Sequence, residues 1–319
     1  MFKRSLNGRT RIFALGILAA VVSTQAYGQL PVSRPAAMLP ISVTATSTTP
    51  IGVPFTREPA VRDVVSAVAG QDITGAAGGY GVGAFANTHI VLITTGASRG
   101  TGLPITANTA TTLTVTGTVP ALGANEDEFE IVPLQTLNAL FGNPPINLTG
   151  GANAAAADKV SVAGTRYFFR NAAGWRLESA PFGPDQGNAT IPNLAGVSII
   201  RIGAATTTNV RGLNRSTRAV IPVPGASTTL LSWPYPGAVT LTGSGLSSTV
   251  QQGANAAAAD KVSIGGIRYF FRTSVGWRLE SAPFGGDQGA VVLNPGDRAF
   301  TVIRLGVATG HPVLESFVP

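Results

Sequence analysis

Gly151-Ala-Asn-Ala-Ala-Ala-Ala-Asp-Lys-Val-Ser161 recurs residue for residue as Gly253 to Ser263, 102 positions further on, and this repetition decides the architecture. The match continues without a gap through Arg166-Tyr-Phe-Phe-Arg170, Gly174-Trp-Arg-Leu-Glu-Ser-Ala-Pro-Phe-Gly183 and Asp185-Gln-Gly187, mirrored by Arg268 to Arg272, Gly276 to Gly285 and Asp287 to Gly289. Of the 37 positions from 151 to 187, 30 are identical in 253 to 289, which chance does not produce. Self-similarity at a fixed offset means one supersecondary unit built twice.

Within a copy the periodicity is that of short strands. Lys159 to Val162, Thr165 to Arg170 and Trp175 to Ser179 read as strands, with turns at Gly164 and at 171–174. Alternation sets Trp175 and Leu177 on one face, with Arg176 and Glu178 on the other. It sets Tyr167 and Phe169 opposite Arg166, Phe168 and Arg170. Val197 to Ile202 gives a fourth strand, matched by Phe300 to Leu305. The alanine run 154–157 is too short for a free-standing helix and reads as one turn leading into Asp158.

A fainter echo lies upstream. Ser47 to Phe55 aligns with Ser227 to Tyr235 at an offset of 180, and Thr136-Leu137 with Thr240-Leu241 at 104. The first copy therefore carries about 76 additional residues between Phe55 and Thr136. Insertion into a loop whose ends lie close is well tolerated, and is the preferred explanation. A plain N-terminal domain followed by two modules is the other. Inside this segment Val64–Val68, Ile73-Thr74, His89–Thr94, Leu103–Ile105, Thr111–Thr116 and Phe129–Val132 read as strands, enough for a small barrel. Gly78-Gly-Tyr-Gly-Val-Gly83 reads as a mobile loop.

The expected fold is thus all-β, with two tandem β-sandwich-like modules and a small β-barrel domain inserted in the first. The segments are 29–57 with 134–222 (module 1), 58–133 (insert) and 223–319 (module 2). Composition agrees, since 39 Gly and 22 Pro punctuate the chain and only 12% of residues are charged.

Residues 1–28 have the three parts of a secretory signal peptide: a basic start, the apolar run Ile12–Val22, and small residues at Thr24, Ala26 and Gly28. The apolar run is shorter than the roughly 20 residues that span a bilayer. Loss of Lys3, Arg4, Arg9 and Arg11 takes the net charge from +7 to +3. That is a poor footprint for nucleic acid, which asks for clustered basic charge. Without cysteine the chain can have neither a disulfide framework nor a lipidated cysteine. The expected location is extracytoplasmic (periplasm, outer surface or medium), with no membrane span once the signal is removed. The alternating runs are shorter than the roughly ten-residue segments of a transmembrane barrel.

The set Val53-Pro-Phe-Thr56, Thr136-Leu-Asn-Ala-Leu-Phe-Gly142, Ala157-Asp-Lys-Val160, Arg166-Tyr-Phe-Phe169 and Gly174-Trp-Arg176 resembles a family of secreted bacterial β proteins of unknown function, present as many paralogues per genome. The stretch His89 to Gly100, with Ile105-Thr-Ala-Asn108 and Thr112-Leu-Thr-Val115, resembles a small β module of bacterial surface and phage tail proteins. The resemblance implies export and β structure, and no reaction.

Chemistry is sparse. Two histidines, His89 and His311, and no cysteine exclude the usual zinc sets, and neither histidine accompanies a Gly-x-Ser-x-Gly elbow. The acidic cluster Asn125-Glu-Asp-Glu-Phe-Glu130 could offer oxygens to calcium but lacks the spaced-aspartate loop. It reads more simply as a solvated turn. Glu178 and Glu280 occur once per module, with no second acid to complete a glycosidase pair. Gly79-Tyr-Gly-Val-Gly83 lacks the third spaced glycine and the helix of a dinucleotide loop. No catalytic, cofactor or metal residues are expected.

The remaining candidates are duplicated aromatic and basic residues: Tyr167, Arg170, Trp175 and Arg176, with Tyr269, Arg272, Trp277 and Arg278. On an exposed face these could stack on sugars. The plainer alternative is that the rings fill a core and the arginines decorate its outside. The leading functional expectation is a non-enzymatic exported structural or cell-surface protein acting by protein–protein contact or self-assembly. A carbohydrate-binding protein, with Trp175 and Trp277 exposed, is second and a secreted hydrolase a distant third. Partners would be the chain itself, other surface proteins or polysaccharide, and not nucleic acid.

Overall fold

The computed structural model describes residues 36–215, 217–235, 237–293 and 299–313, so the expected signal peptide lies outside the described residues. Among these no helix is long and apolar enough to cross a membrane. The chain is all-β. It begins with β1 (Ala36–Val43) and β2 (Thr48–Ile51). Six strands follow: β3 (Val61–Ala69), β4 (Asp72–Gly75), β5 (His89–Ile93), β6 (Gly102–Asn108), β7 (Thr112–Val115) and β8 (Glu128–Pro133). After β9 (Gln135–Thr136) and the short helix α1 (Leu137–Phe141) come β10 (Lys159–Val162), β11 (Thr165–Arg170) and β12 (Gly174–Leu177). Then β13 (Thr190–Ile191), β14 (Val197–Ile200) and β15 (Thr206–Leu213) close the first half.

The second half repeats the first without the six-strand segment. Its strands are β16 (Ala219–Val223), β17 (Thr228–Leu231), β18 (Val239–Thr240), β19 (Lys261–Ile264) and β20 (Ile267–Arg272). They continue with β21 (Gly276–Leu279), β22 (Val292–Leu293), β23 (Phe300–Ile303) and β24 (Thr309–Val313). The five-stranded sheet β12-β11-β10-β14-β2 has its counterpart in β21-β20-β19-β23-β17. Likewise the ribbons β1–β15 and β9–β13 correspond to β16–β24 and β18–β22. In each half the sheet's inner face packs against the first ribbon: Val160, Phe169, Trp175 and Ile199 join Ile41, Val43 and Val210. Val262, Trp277 and Val302 join Ile221, Val223 and Val313 in the same way.

The strand β2 before the six-strand segment pairs with β14 after it. The two crossing points meet where the Gln135 Nε2 donates to the Thr56 carbonyl at 3.1 Å. Between them the six strands close as a barrel in the order β3-β4-β7-β6-β5-β8. Their inward residues, among them Val65, Ile73, Val91, Leu113 and Ile131, make one core. Alternation explains it, since each short strand turns every second side chain inward. The glycine-rich stretch is a loop, but a fastened one: the Tyr80 ring is buried in the barrel core. Its hydroxyl donates to Asp63 Oδ2 at 2.5 Å, and the amides of Ala77 and Gly78 donate to the same carboxylate. The outer residues Ile90, Leu92 and Val132 form a separate buried cluster. With Val53, Phe55 and Ile191 of the surrounding module, Ile90 and Val132 enclose a cavity of about 20 Å³.

The halves bond to each other reciprocally. Gly196 N donates to Leu230 O at 3.0 Å, and Ala299 N to Pro50 O at 3.4 Å. By the repeat offsets Gly196 corresponds to Ala299 and Pro50 to Leu230, so equivalent groups meet in both directions, as a two-fold relation requires. Leu194 of the first half packs into the core of the second, and the wholly buried Ser232 receives the Val53 amide at 2.7 Å. The outer edges of β2 and β17 are thereby covered, which blunts unwanted strand pairing.

Candidate functional site

The duplicated candidates all lie on the hairpins β11–β12 and β20–β21. Trp175 stands opposite Phe169, and Trp277 opposite Phe271. The ring pairs meet edge-on at 5.8 and 5.5 Å. Both indoles are 1% exposed. The exposed, flat tryptophan face expected of a sugar binder is therefore corrected. Trp175 is covered by the core it shares with Ile41, Val43 and Val210 of the β1–β15 ribbon, and Trp277 by Ile221, Val223 and Val313 of β16–β24. Tyr269 is buried and Tyr167 half-buried at the core margin, and burial pushes both phenol pKa values up.

Arg176 and Arg278 are structural as well. Arg176 Nη1 donates to its neighbour's carbonyl, Trp175 O, at 2.9 Å and to Asp185 Oδ1 at 3.4 Å. Arg278 repeats this with Trp277 O at 3.0 Å and Asp287 at 3.4 Å. They fold the following loop back on the strand, where Gln186 N donates to Trp175 O at 2.9 Å. Gly174 permits this closure. Its φ is +88°, and a Cβ there would stand 2.6 Å from Asp185 Oδ1.

At the tip of that loop, after Pro181, stands Phe182. Two turn bonds, Ala180 N to Leu177 O and Gly183 N to Ala180 O, fix the backbone around it. Its residue is 80% exposed and its counterpart Phe284 is 83% exposed. Arg170 lies over the Phe182 ring with its guanidinium carbon 4.7 Å from the centroid, and Arg272 over Phe284 at 4.8 Å. Of the eight candidates, Arg170 and Arg272 are the ones set against open surface, and each is joined there by a phenylalanine not among the candidates. The available signal was the invariant Ala-Pro-Phe-Gly, an aromatic residue between turn formers with no strand to bury it.

Asp158 and Asp260 were also missed. Asp158, buried, receives the Thr149 amide at 2.7 Å, the Ile202 amide at 3.0 Å and the Arg201 guanidinium. Asp260 receives the amides of Gln251 and Leu305, both at 2.7 Å, with Arg304 at 3.5 Å. These bonds end the fourth strand of each module two residues earlier than its apolar run suggests.

Other titratable groups are engaged in the fold. Glu178 accepts from Lys159 at 2.5 Å and Arg166 at 3.5 Å. The Lys159 hydrogen bond, followed by the charges of both cations, outweighs burial and holds its carboxyl low, and Lys261 and Arg268 do the same for Glu280. Burial works to raise Asp63, but the bonds from Tyr80 and three amides outweigh it and hold the carboxyl low. The His311 ring is buried, with Nε2 3.0 Å from Ser244 O and Nδ1 2.6 Å from Thr249 Oγ1. A carbonyl only accepts, so Nε2 carries the proton and Nδ1 accepts from Thr249. Burial lowers the pKa of His311, and burial together with Arg57 lowers that of His89.

In the acidic turn, Asp127 Oδ2 accepts from Gly123 N at 2.7 Å and Glu130 pairs with Arg62 at 3.1 Å. Among the described residues no three His, Asp or Glu side chains stand together as a metal set.

Fold and site thus define an all-β protein of two like modules and a closed six-stranded barrel, with one Arg–Phe pair displayed per module. No protein-family model, curated protein or solved structure matches the chain.

Proposed function

We propose that the protein is a non-enzymatic exported structural or cell-surface protein that works by contact, each module offering the same surface to what it binds. The observation that carries this is the exposure of Phe182 and Phe284 at 80% and 83%, in equivalent loops of both modules. A single exposed apolar side chain needs no explanation, but the same ring displayed twice on a braced loop suits a contact role. The carboxylates of the repeats are paired with lysine or arginine, which suits a scaffold better than proton transfer.

Fractionation of cells producing the full chain, and sedimentation of the mature protein with isolated cell envelopes, tests this. The wild type is expected outside the cytoplasm and in the envelope pellet, and a Phe182→Ser/Phe284→Ser variant with unchanged circular dichroism is expected in the supernatant. Cytoplasmic wild type, or equal pelleting of both proteins, overturns the proposal.

A further inference from the structure

The arginines of the two repeats divide into two groups. Arg166, Arg176 and Arg201, and likewise Arg268, Arg278 and Arg304, each have a carboxylate within 4 Å. Arg170 and Arg272 have none among the described residues, and each lies instead on an exposed phenylalanine. A guanidinium stacked on a ring keeps its N–H edges free, and those edges match a carboxylate in a two-point fork. The ring beneath it offers an apolar surface beside the charge.

We infer that Arg170–Phe182 and Arg272–Phe284 are two equivalent subsites for a carboxylate-bearing polysaccharide, the guanidinium taking a uronate carboxylate and the phenylalanine the C–H face of a sugar ring. The inference rests on the contact role proposed above and names its partner. Two identical subsites on one chain suit a ligand that repeats the same group along its length, whereas a folded protein displays an epitope once. The repeats of a second copy are a poor source of carboxylates, since their acids are already held by Lys159, Lys261 and the paired arginines. The turn bonds on either side of Phe182 and Phe284 hold the rings in place before binding, which lowers the ordering cost. A polymer engaging both subsites gains from effective concentration, so losing one should weaken binding steeply.

The test is titration calorimetry of the mature protein with polygalacturonate, alginate and hyaluronate, alongside methyl-esterified polygalacturonate, dextran and single-stranded DNA. At least one carboxylated polymer is expected to bind, more weakly as salt rises, with the ester and dextran inert. Arg170→Gln or Arg272→Gln alone should weaken binding at least about tenfold, and the pair should abolish it, since avidity multiplies the two sites. Phe182→Ala/Phe284→Ala should also abolish it, with each variant's thermal midpoint near that of the wild type.

Equal binding of ester and acid, binding of DNA alone, or binding that survives the double arginine change overturns the assignment. If none of the three acidic polymers binds while the phenylalanine-dependent envelope pelleting persists, this inference falls and the contact role stands. If pelleting fails as well, both fall.

Discussion

The two modules each carry the same five-stranded sheet, yet they close its core differently, and the contrast separates what a repeated sequence fixes from what its surroundings fix. In module 1 the stretch after Thr136 forms α1, capped by the Thr136 hydroxyl, and Phe141 lies 6.0 Å from the Trp175 ring. The Trp175 Nε1 donates to Gly142 O at 3.2 Å. Module 2 keeps the cap, with Gly243 N donating to Thr240 Oγ1 at 2.9 Å. It then loses two residues, since the repeat offset falls from 104 to 102, and forms a 3-10 turn at Leu246–Ser248 instead. There the Trp277 Nε1 is buried without a partner among the described residues. At the position of Thr208, which donates to Ile146 O at 2.7 Å, module 2 carries the buried His311. Identical tryptophans on identical strands thus sit under different lids.

The largest expected effect comes from the buried aspartates. Asp158→Ala should cost about 3–5 kcal/mol, because it strands a buried guanidinium. Asp260→Ala should cost at least as much, since the Arg304 it strands is the more buried arginine, its side chain 5% exposed against 10% for Arg201. Urea unfolding of both variants measures the difference, and a clearly cheaper Asp260 change would show that burial of the stranded arginine does not set the cost.

Next come the indoles. Trp175→Phe loses a hydrogen bond as well as ring area, whereas Trp277→Phe loses a group with no partner among the described residues. The first should therefore be less stable than the second by about 1 kcal/mol. Equal unfolding midpoints would show that the Gly142 bond contributes nothing.

The third comparison is titration. Burial depresses the folded pKa of His311 below 6.5, although the bond to the Ser244 carbonyl partly opposes this. The unfolded chain therefore binds the proton first, and stability is full above about pH 6.5 and declines as pH falls towards the lower folded value. His89, also depressed, acts in the same direction in the barrel. Glu178 and Glu280, held low, stabilise fully above about pH 4.5 and lose that stabilisation only as pH falls below it. Unfolding of wild type and His311→Thr between pH 5 and 8 isolates the one imidazole; parallel curves would contradict its burial.

The smallest effect belongs to the displayed rings. Phe182→Ala and Phe284→Ala should each cost no more than about 1 kcal/mol, the scale of an exposed cation–π contact. A larger loss in one module would mean that its ring is packed and not presented.

Much of the fold was legible. The six barrel strands and the three of each repeat hairpin stand where alternation put them, offset by at most three residues at their ends. The ribbons β1–β15 and β16–β24 were not foreseen. Their strands mix proline, threonine and small residues, so only Ile41, Val43 and Val210, or Ile221, Val223 and Val313, mark the buried side. The candidate site was half legible: the repeat singled out Arg170 and Arg272 but drew the eye to tryptophans and past Phe182 and Phe284.

The amino-acid sequence alone determined that two modules are alike, that they are built of short strands, and which side chains share a face. The tertiary structure decided which face is inside, because a period of two makes both faces of a strand equally regular and only the layer packed against one of them breaks the tie. It also decided that Asp158 meets Arg201 and Ser232 meets Val53, contacts 43 and 179 residues apart along the chain. Such pairs carry no local signature, since each depends on where distant strands come to rest.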